Sequence, residues 1–215
     1  IGGSAIDMSG WEKNVTSIVF SWYSGMEGGN ALAKIIYGDV NPSGKLPFTI
    51  ARNSSNYPYF NPYTDTITYG YYHGYSLFEK YNKEIAYPFG HGLSYSNFRY
   101  ENFNLTNNIL EDSMLFFSVD LTNVSDIGGK EILQFYVGFE NSEIDRPLKL
   151  LRDFKKVYLK PGESKSINFK INKNDLSYYN IEKKKWMNEN IQYNFYVGGS
   201  SKQDKLLKIS EFIYQ

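Results

Sequence analysis

The stretch YPFGHGLSYSNF (87–98) comes nearest in this chain to a group of residues that could do covalent chemistry. Gly92-Leu93-Ser94-Tyr95-Ser96 is one residue short of the G-x-S-x-G turn, which lifts a serine hydroxyl out of a strand-to-helix corner to act as a nucleophile. The context argues against that chemistry. Pro88 precedes the turn, Ser96 stands where the final glycine is needed, and NFRYENFNL (97–105) alternates like a strand instead of opening a helix. Gly90 and Gly92 therefore read as positive-φ positions at a tight turn. His91 reads as a hydrogen-bonding turn residue, and Ser94 as part of the turn.

Glu27 is the other candidate, as a substrate-binding residue. It sits in GMEGG (25–29), between the apolar run TSIVFSWY (16–23) and NALAKIIYG (30–38). The run reads as a buried parallel strand. The second segment reads as a helix with Asn30 as N-cap and Gly38 as C′ stop. Ligands in α/β sheets lie beyond the C-terminal ends of strands. A helix N-terminus keeps a carboxylate ionised, which suits a hydrogen-bond acceptor on a pocket rim and not a proton donor. The alternative is that Glu27 only stabilises the first helical turn. Asp7 and Glu12 read as solvated loop charges.

Composition narrows the classes. The 215 residues carry 23 Lys plus Arg against 23 Asp plus Glu, so no bulk field draws nucleic acid or an anionic membrane. There is no cysteine, and two histidines, His73 and His91, are too few for a histidine-built metal centre. No apolar run reaches the length of a membrane span, and no cofactor motif is found.

Three segments follow along the chain. Residues 1–52 read as the end of an α/β domain, because one strand and one helix cannot enclose a core. Residues 53–95 are dense in Tyr, Asn, Pro and Gly. They read as a connector, or a loop draped over another domain. Residues 96–215 read as an all-β sandwich of immunoglobulin or fibronectin type III kind. SMLFFSVDLTNV (113–124) and EILQFYVGFE (131–140) alternate at period two. FKKVYLKPGESKSINFKI (154–171) reads as a hairpin-like pair broken at Pro161-Gly162, and 191–200 and 206–214 supply two more strands. Trp186 reads as a core or hairpin residue.

Five colinear motifs carry a resemblance. YPFGHGLSYSNF is similar to the approach to the fibronectin-like domain in glycoside hydrolase family 3. WYSGMEGGNALAKIIYGDVNPSGKLPFTI (22–50) is similar to that family's last α/β signature. YGYYHGYSLFEKYN (69–82), DRPLKLLRDFKKVYLKPGESKSINFKI (145–171) and DLSYYN…KWMNENIQYNFYVGGSS (175–201) extend the match in order. The resemblance implies the C-terminal part of a retaining, exo-acting β-glucosidase acting on an oligosaccharide or an aryl or alkyl β-glucoside. It also implies a partner, the N-terminal barrel of the same enzyme. The nucleophilic Asp and the acid/base Glu are then expected upstream, because no residue here matches either motif. Trp11, Trp22, Tyr23 and the tyrosines of 57–75 would stack on sugar faces or, for most of them, pack in a core or between domains. Two alternatives stay open: a β-xylosidase or β-N-acetylglucosaminidase of the same family, and a carbohydrate-binding or adhesion module without catalysis.

Overall fold

The computed structural model describes residues 2–107 and 113–212. In chain order it contains α1 (Gly28–Ile36), β1 (Ile50–Ala51), α2 (Gly74–Lys80) and β2 (Ile85–Tyr87). The strands β3 (Phe98–Leu105), β4 (Met114–Asn123), β5 (Gly129–Gly138), β6 (Lys149–Leu159) and β7 (Ser164–Asn172) follow. A small hairpin, β8 (Tyr178–Asn180) with β9 (Lys185–Met187), precedes β10 (Gln192–Gly198) and β11 (Leu207–Phe212). Two antiparallel sheets face each other, ordered β11-β10-β5-β6 and β3-β4-β7.

The period-two pattern of β4 and β5 does what it predicts. Leu115, Phe117, Val119 and Leu121 from one sheet, and Leu133, Phe135 and Val137 from the other, are wholly buried between the layers. Their centre is aromatic: Phe117 lies 4.6 Å from Phe195 and 4.9 Å from Phe135, and Phe135 stacks on Phe169 at 5.1 Å.

The outer face of β5 is buried as well, which alternation alone does not announce. Gln134 and Tyr136 lie under the segment that precedes the sandwich. Tyr75 packs edge-on against Tyr136 at 6.0 Å and tilts against Phe89 at 5.3 Å, while its hydroxyl accepts the Leu151 N–H at 2.9 Å. The end of the tyrosine-rich stretch, from Tyr75 to Phe89, thus lies against the four-stranded sheet, whereas Tyr59, Tyr63 and Tyr69 are exposed and pack in no core, against expectation.

Several expectations are corrected. Residues 16–23 form no strand; Val15 and Val19 are exposed, and Trp22 takes a positive φ of 53°. Backbone N–H and C=O groups need ladder partners to make a strand, and no described segment lies beside this one to supply them. Its rings gather locally instead, Trp22 lying 4.7 Å from Phe20 and 5.4 Å from Phe48. The supposed hairpin over 154–171 is a change of sheet: β6 pairs with β5, but β7 pairs with β4. Asn123 makes the crossing possible. Its N–H donates to Glu163 O, its carbonyl accepts from Gly162 N, and its buried amide donates to Ile127 O and Leu159 O. The strand expected at 206–214 is observed as β11, with 213–215 lying outside the described residues. Trp186 belongs to the β8–β9 hairpin and is 69% exposed, so it is no core residue.

Candidate functional site

The GHGLSYS turn is the meeting point of three segments, and Asn41 holds them. Its Oδ1 accepts from Ser94 Oγ at 2.8 Å and from Tyr95 N at 2.9 Å. Its Nδ2 donates to Ser96 Oγ at 2.8 Å and to Gly128 O at 3.0 Å. Ser96 Oγ passes the connection on to Ile127 O at 2.7 Å. Ser94 Oγ also accepts the Ser96 N–H at 3.1 Å. The hydroxyl that resembled a nucleophile is committed to the turn.

Lys45 anchors the other side. Its Nζ donates to Gly92 O at 2.9 Å and pairs with Glu131 of β5 at 2.9 Å. Leu46 exchanges backbone hydrogen bonds with the same turn, donating to His91 O and accepting from Gly90 N. Gly90 has φ +81°, and a Cβ there would overlap the Gln134 side-chain amide. Gly92 has no positive φ, against expectation. It is required by closeness instead, because a Cβ would overlap the Gly44 carbonyl oxygen. The His91 ring leans on Tyr87 at 5.1 Å, and burial, together with the Lys45 charge, pushes its pKa below the ordinary 6.5. Replacing Asn41 by alanine should lower stability by about 2 kcal/mol, since four hydrogen bonds of about 1 kcal/mol each are lost and water replaces part of them. Urea unfolding measures this; a change below about 0.5 kcal/mol would show that the turn is held by its backbone contacts alone.

Glu27 lies elsewhere. It is itself the N-cap of α1, in place of the expected Asn30, and its carbonyl accepts from Ala31 N at 2.9 Å. Its carboxylate makes no capping bond to the backbone and accepts from Asn30 Nδ2 at 2.7 Å. Gly38 stops the helix as expected, with φ +83°. The Tyr95 hydroxyl donates to Ile35 O near the opposite end of α1, so the helix, about 13 Å long, separates Glu27 from the turn. Asp7 is an exposed loop charge, as expected, though not an unpartnered one, while Glu12 is largely covered. Asp7 accepts from Ser9 Oγ and N and from Ser54 N, and these bonds, those from Ser9 foremost, hold its pKa down at about 2. Glu12 pairs with Arg52.

A charged pair that sequence reading did not single out joins α2 to the sandwich. Lys149, 2% exposed, donates to Glu79 and also reaches Gln203 at 3.3 Å. Burial lifts the Glu79 carboxyl above its ordinary value, against the opposing pull of Lys149. Only a preceding RP-x-K segment whose lysine faces inward could have hinted at this pair, and strand alternation put Lys149 on no particular face. Among the described residues, no three of His, Asp and Glu gather where a metal ion could be held.

A half-open α/β unit clamped by an Asn and a GHG turn onto a seven-stranded sandwich defines the class. Residues 1–95 match the glycosyl hydrolase family 3 C-terminal domain, and residues 131–201 match the fibronectin type III-like domain. The chain belongs to glycosyl hydrolase family 3, of which it carries these two domains.

Among its relatives, thermostable beta-glucosidase B of Acetivibrio thermocellus is 37% identical over 98% of this chain, and beta-glucosidase of Kluyveromyces marxianus is 38% identical over 94%. The chain spans 28% and 24% of those two proteins. The structure of beta-glucosidase 3B from Thermotoga neapolitana in complex with glucose superposes with a TM-score of 0.89 at 31% identity, covering 100% of this chain and 30% of that one.

Proposed function

We infer that the complete polypeptide is a retaining, exo-acting β-glucosidase and that this chain is its C-terminal scaffold. The observation that carries the reading is the likeness to named β-glucosidases along 98% of the chain, with the 28% coverage of the relative leaving room for a barrel. Retention requires a nucleophilic carboxylate and an acid/base carboxyl about 5–5.5 Å apart. Both are supplied by residues outside this chain. The substrate is an oligosaccharide or an aryl or alkyl β-glucoside.

In this reading residues 1–52 complete an α/β domain, 53–95 connect, and 96–215 brace the other domains. The surface of the first segment supports it. Met26, Tyr37 and Tyr23 are at least 79% exposed and Ile36 is 61% exposed, large apolar side chains that the rest of the α/β domain would cover. Glu27 then serves as a hydrogen-bond acceptor on the pocket rim; its one side-chain partner, Asn30, is exposed and leaves the carboxylate further acceptor capacity.

The test is the configuration of the first sugar released by the complete polypeptide, followed by proton NMR before mutarotation. β-Glucose appearing first from a cello-oligosaccharide, one unit at a time from the non-reducing end, is the expected result. α-Glucose first, or release of internal fragments, would overturn it. Glu27→Gln should raise KM by about threefold to tenfold with little change in kcat, the mark of a ground-state hydrogen bond.

A further inference from the structure

A cleft of about 970 Å³ opens on the sandwich side of the molecule, between the β8–β9 hairpin and Tyr71. Its size is that of a pocket for a ligand larger than one sugar ring. Three aromatic side chains reach it while staying substantially in water: Trp186 (69% exposed), Tyr71 (63%) and Tyr179 (49%). Trp186 and Tyr179 are cross-strand partners, edge to face at 5.6 Å, so the hairpin presents a fixed aromatic ledge.

Five charged residues line the cleft, and three of them are already engaged. Asp145 accepts from Lys80 Nζ and Tyr72 Oη, both at 2.6 Å. Asp175 accepts the Asn172 N–H at 3.1 Å as part of a capping box. Arg146 covers the Phe139 ring at 3.8 Å and pairs with Glu189. That leaves Arg152 and Lys185, neither of which makes a side-chain hydrogen bond or ion pair among the described residues. Arg152 emerges from β6 beside the bulge at Phe135/Tyr136, and burial lowers its pKa while the Asp175 charge opposes that shift.

We propose that this cleft binds an acidic saccharide, a chain of pyranose units of which at least one carries a carboxylate. Flat exposed rings receive the C–H faces of the sugar. The planar Arg152 fork takes the carboxylate in a two-point bond, which an ammonium could not match in geometry. Asn174 and Ser177 also line the cleft, and Ser177 Oγ, which donates to Asn174 O at 2.6 Å, can still accept from a sugar hydroxyl. A neutral sugar would use the ledge but bring no carboxylate to hydrogen-bond either cation. The site involves no hydrolysis and stands apart from the glycosidase reading.

The test is calorimetric titration of this chain with tri-galacturonate and, separately, with cellotriose, at low and at high salt. Tri-galacturonate is expected to bind, more weakly at high salt, with cellotriose at least about tenfold weaker, as follows from losing one charge-assisted pair. Arg152→Gln should cost about tenfold for tri-galacturonate and leave cellotriose unchanged, while Trp186→Ala should weaken both. Both residues are exposed, so unchanged melting temperatures certify that the variants are folded. Equal binding of the two sugars, full affinity in Arg152→Gln, or no binding of tri-galacturonate would each overturn the proposal. Loss of that binding in the complete polypeptide would do so too, by showing the cleft to be covered there.

Discussion

Phe135→Ala is expected to cost about 3–5 kcal/mol, the range for emptying a large aromatic site that cannot collapse. Phe135 is wholly buried on β5, which lies inside the four-stranded sheet, and it meets rings from both layers. Phe169 stacks on it at 5.1 Å, Phe117 lies at 4.9 Å, and Phe103 and Phe195 stand at 6.3 and 6.2 Å. Removing the ring takes away contacts from four neighbours at once, and the strands around it are fixed by ladders on both sides. Phe135→Leu should cost clearly less, because part of the volume is retained. Urea unfolding with an unchanged slope gives the number. A loss under about 1 kcal/mol would mean that the two sheets close over the void.

Lys149→Ala carries the second large effect, about 3 kcal/mol at neutral pH, because it leaves the Glu79 carboxylate largely desolvated without its cation. The Lys149 side chain is 3% exposed and that of Glu79 21%, so water reaches only one end of the pair. The pH dependence has a definite sign. Burial raises the Glu79 pKa in the folded protein, so its favourable contribution is fully present below the ordinary 4.5 and is lost as pH rises through the raised value. Lys149 limits that loss. Its removal should therefore hurt little below pH 4.5 and progressively more above it. Thermal unfolding across this range checks the point, and a penalty that shrinks as pH rises would refute it. Glu79→Leu with Lys149→Met should restore most of the stability, since an apolar pair of similar volume needs no desolvation of charge.

What could be read in advance was what local pattern determines. Leu115, Phe117, Val119 and Leu121 alternate because β4 has one face in the core, so composition reports burial directly. The Pro161-Gly162 turn was legible as a turn, with Gly162 at φ +68°, but not as a change of sheet. The difference lies in Asn123, far earlier in the chain, whose backbone holds the turn. TSIVFSWY looks like a strand because its composition suits one, yet a strand exists only beside another. Ser94 could be dismissed as a nucleophile from its neighbours alone. That Asn41 holds its hydroxyl could not be foreseen, because a side-chain contact spanning 53 positions leaves no periodic trace. The same holds for Lys149 and Glu79, whose pairing depends on the connector folding back over β5 and β6.

We propose that this chain is the scaffold of a β-glucosidase whose reacting carboxyls lie elsewhere in the polypeptide. The direct measurement is release of nitrophenol from an aryl β-glucoside by the isolated chain, by the complementary N-terminal part, and by the two mixed. The account predicts no turnover by this chain alone and hydrolysis once the N-terminal part is added. Turnover by the isolated chain would contradict it.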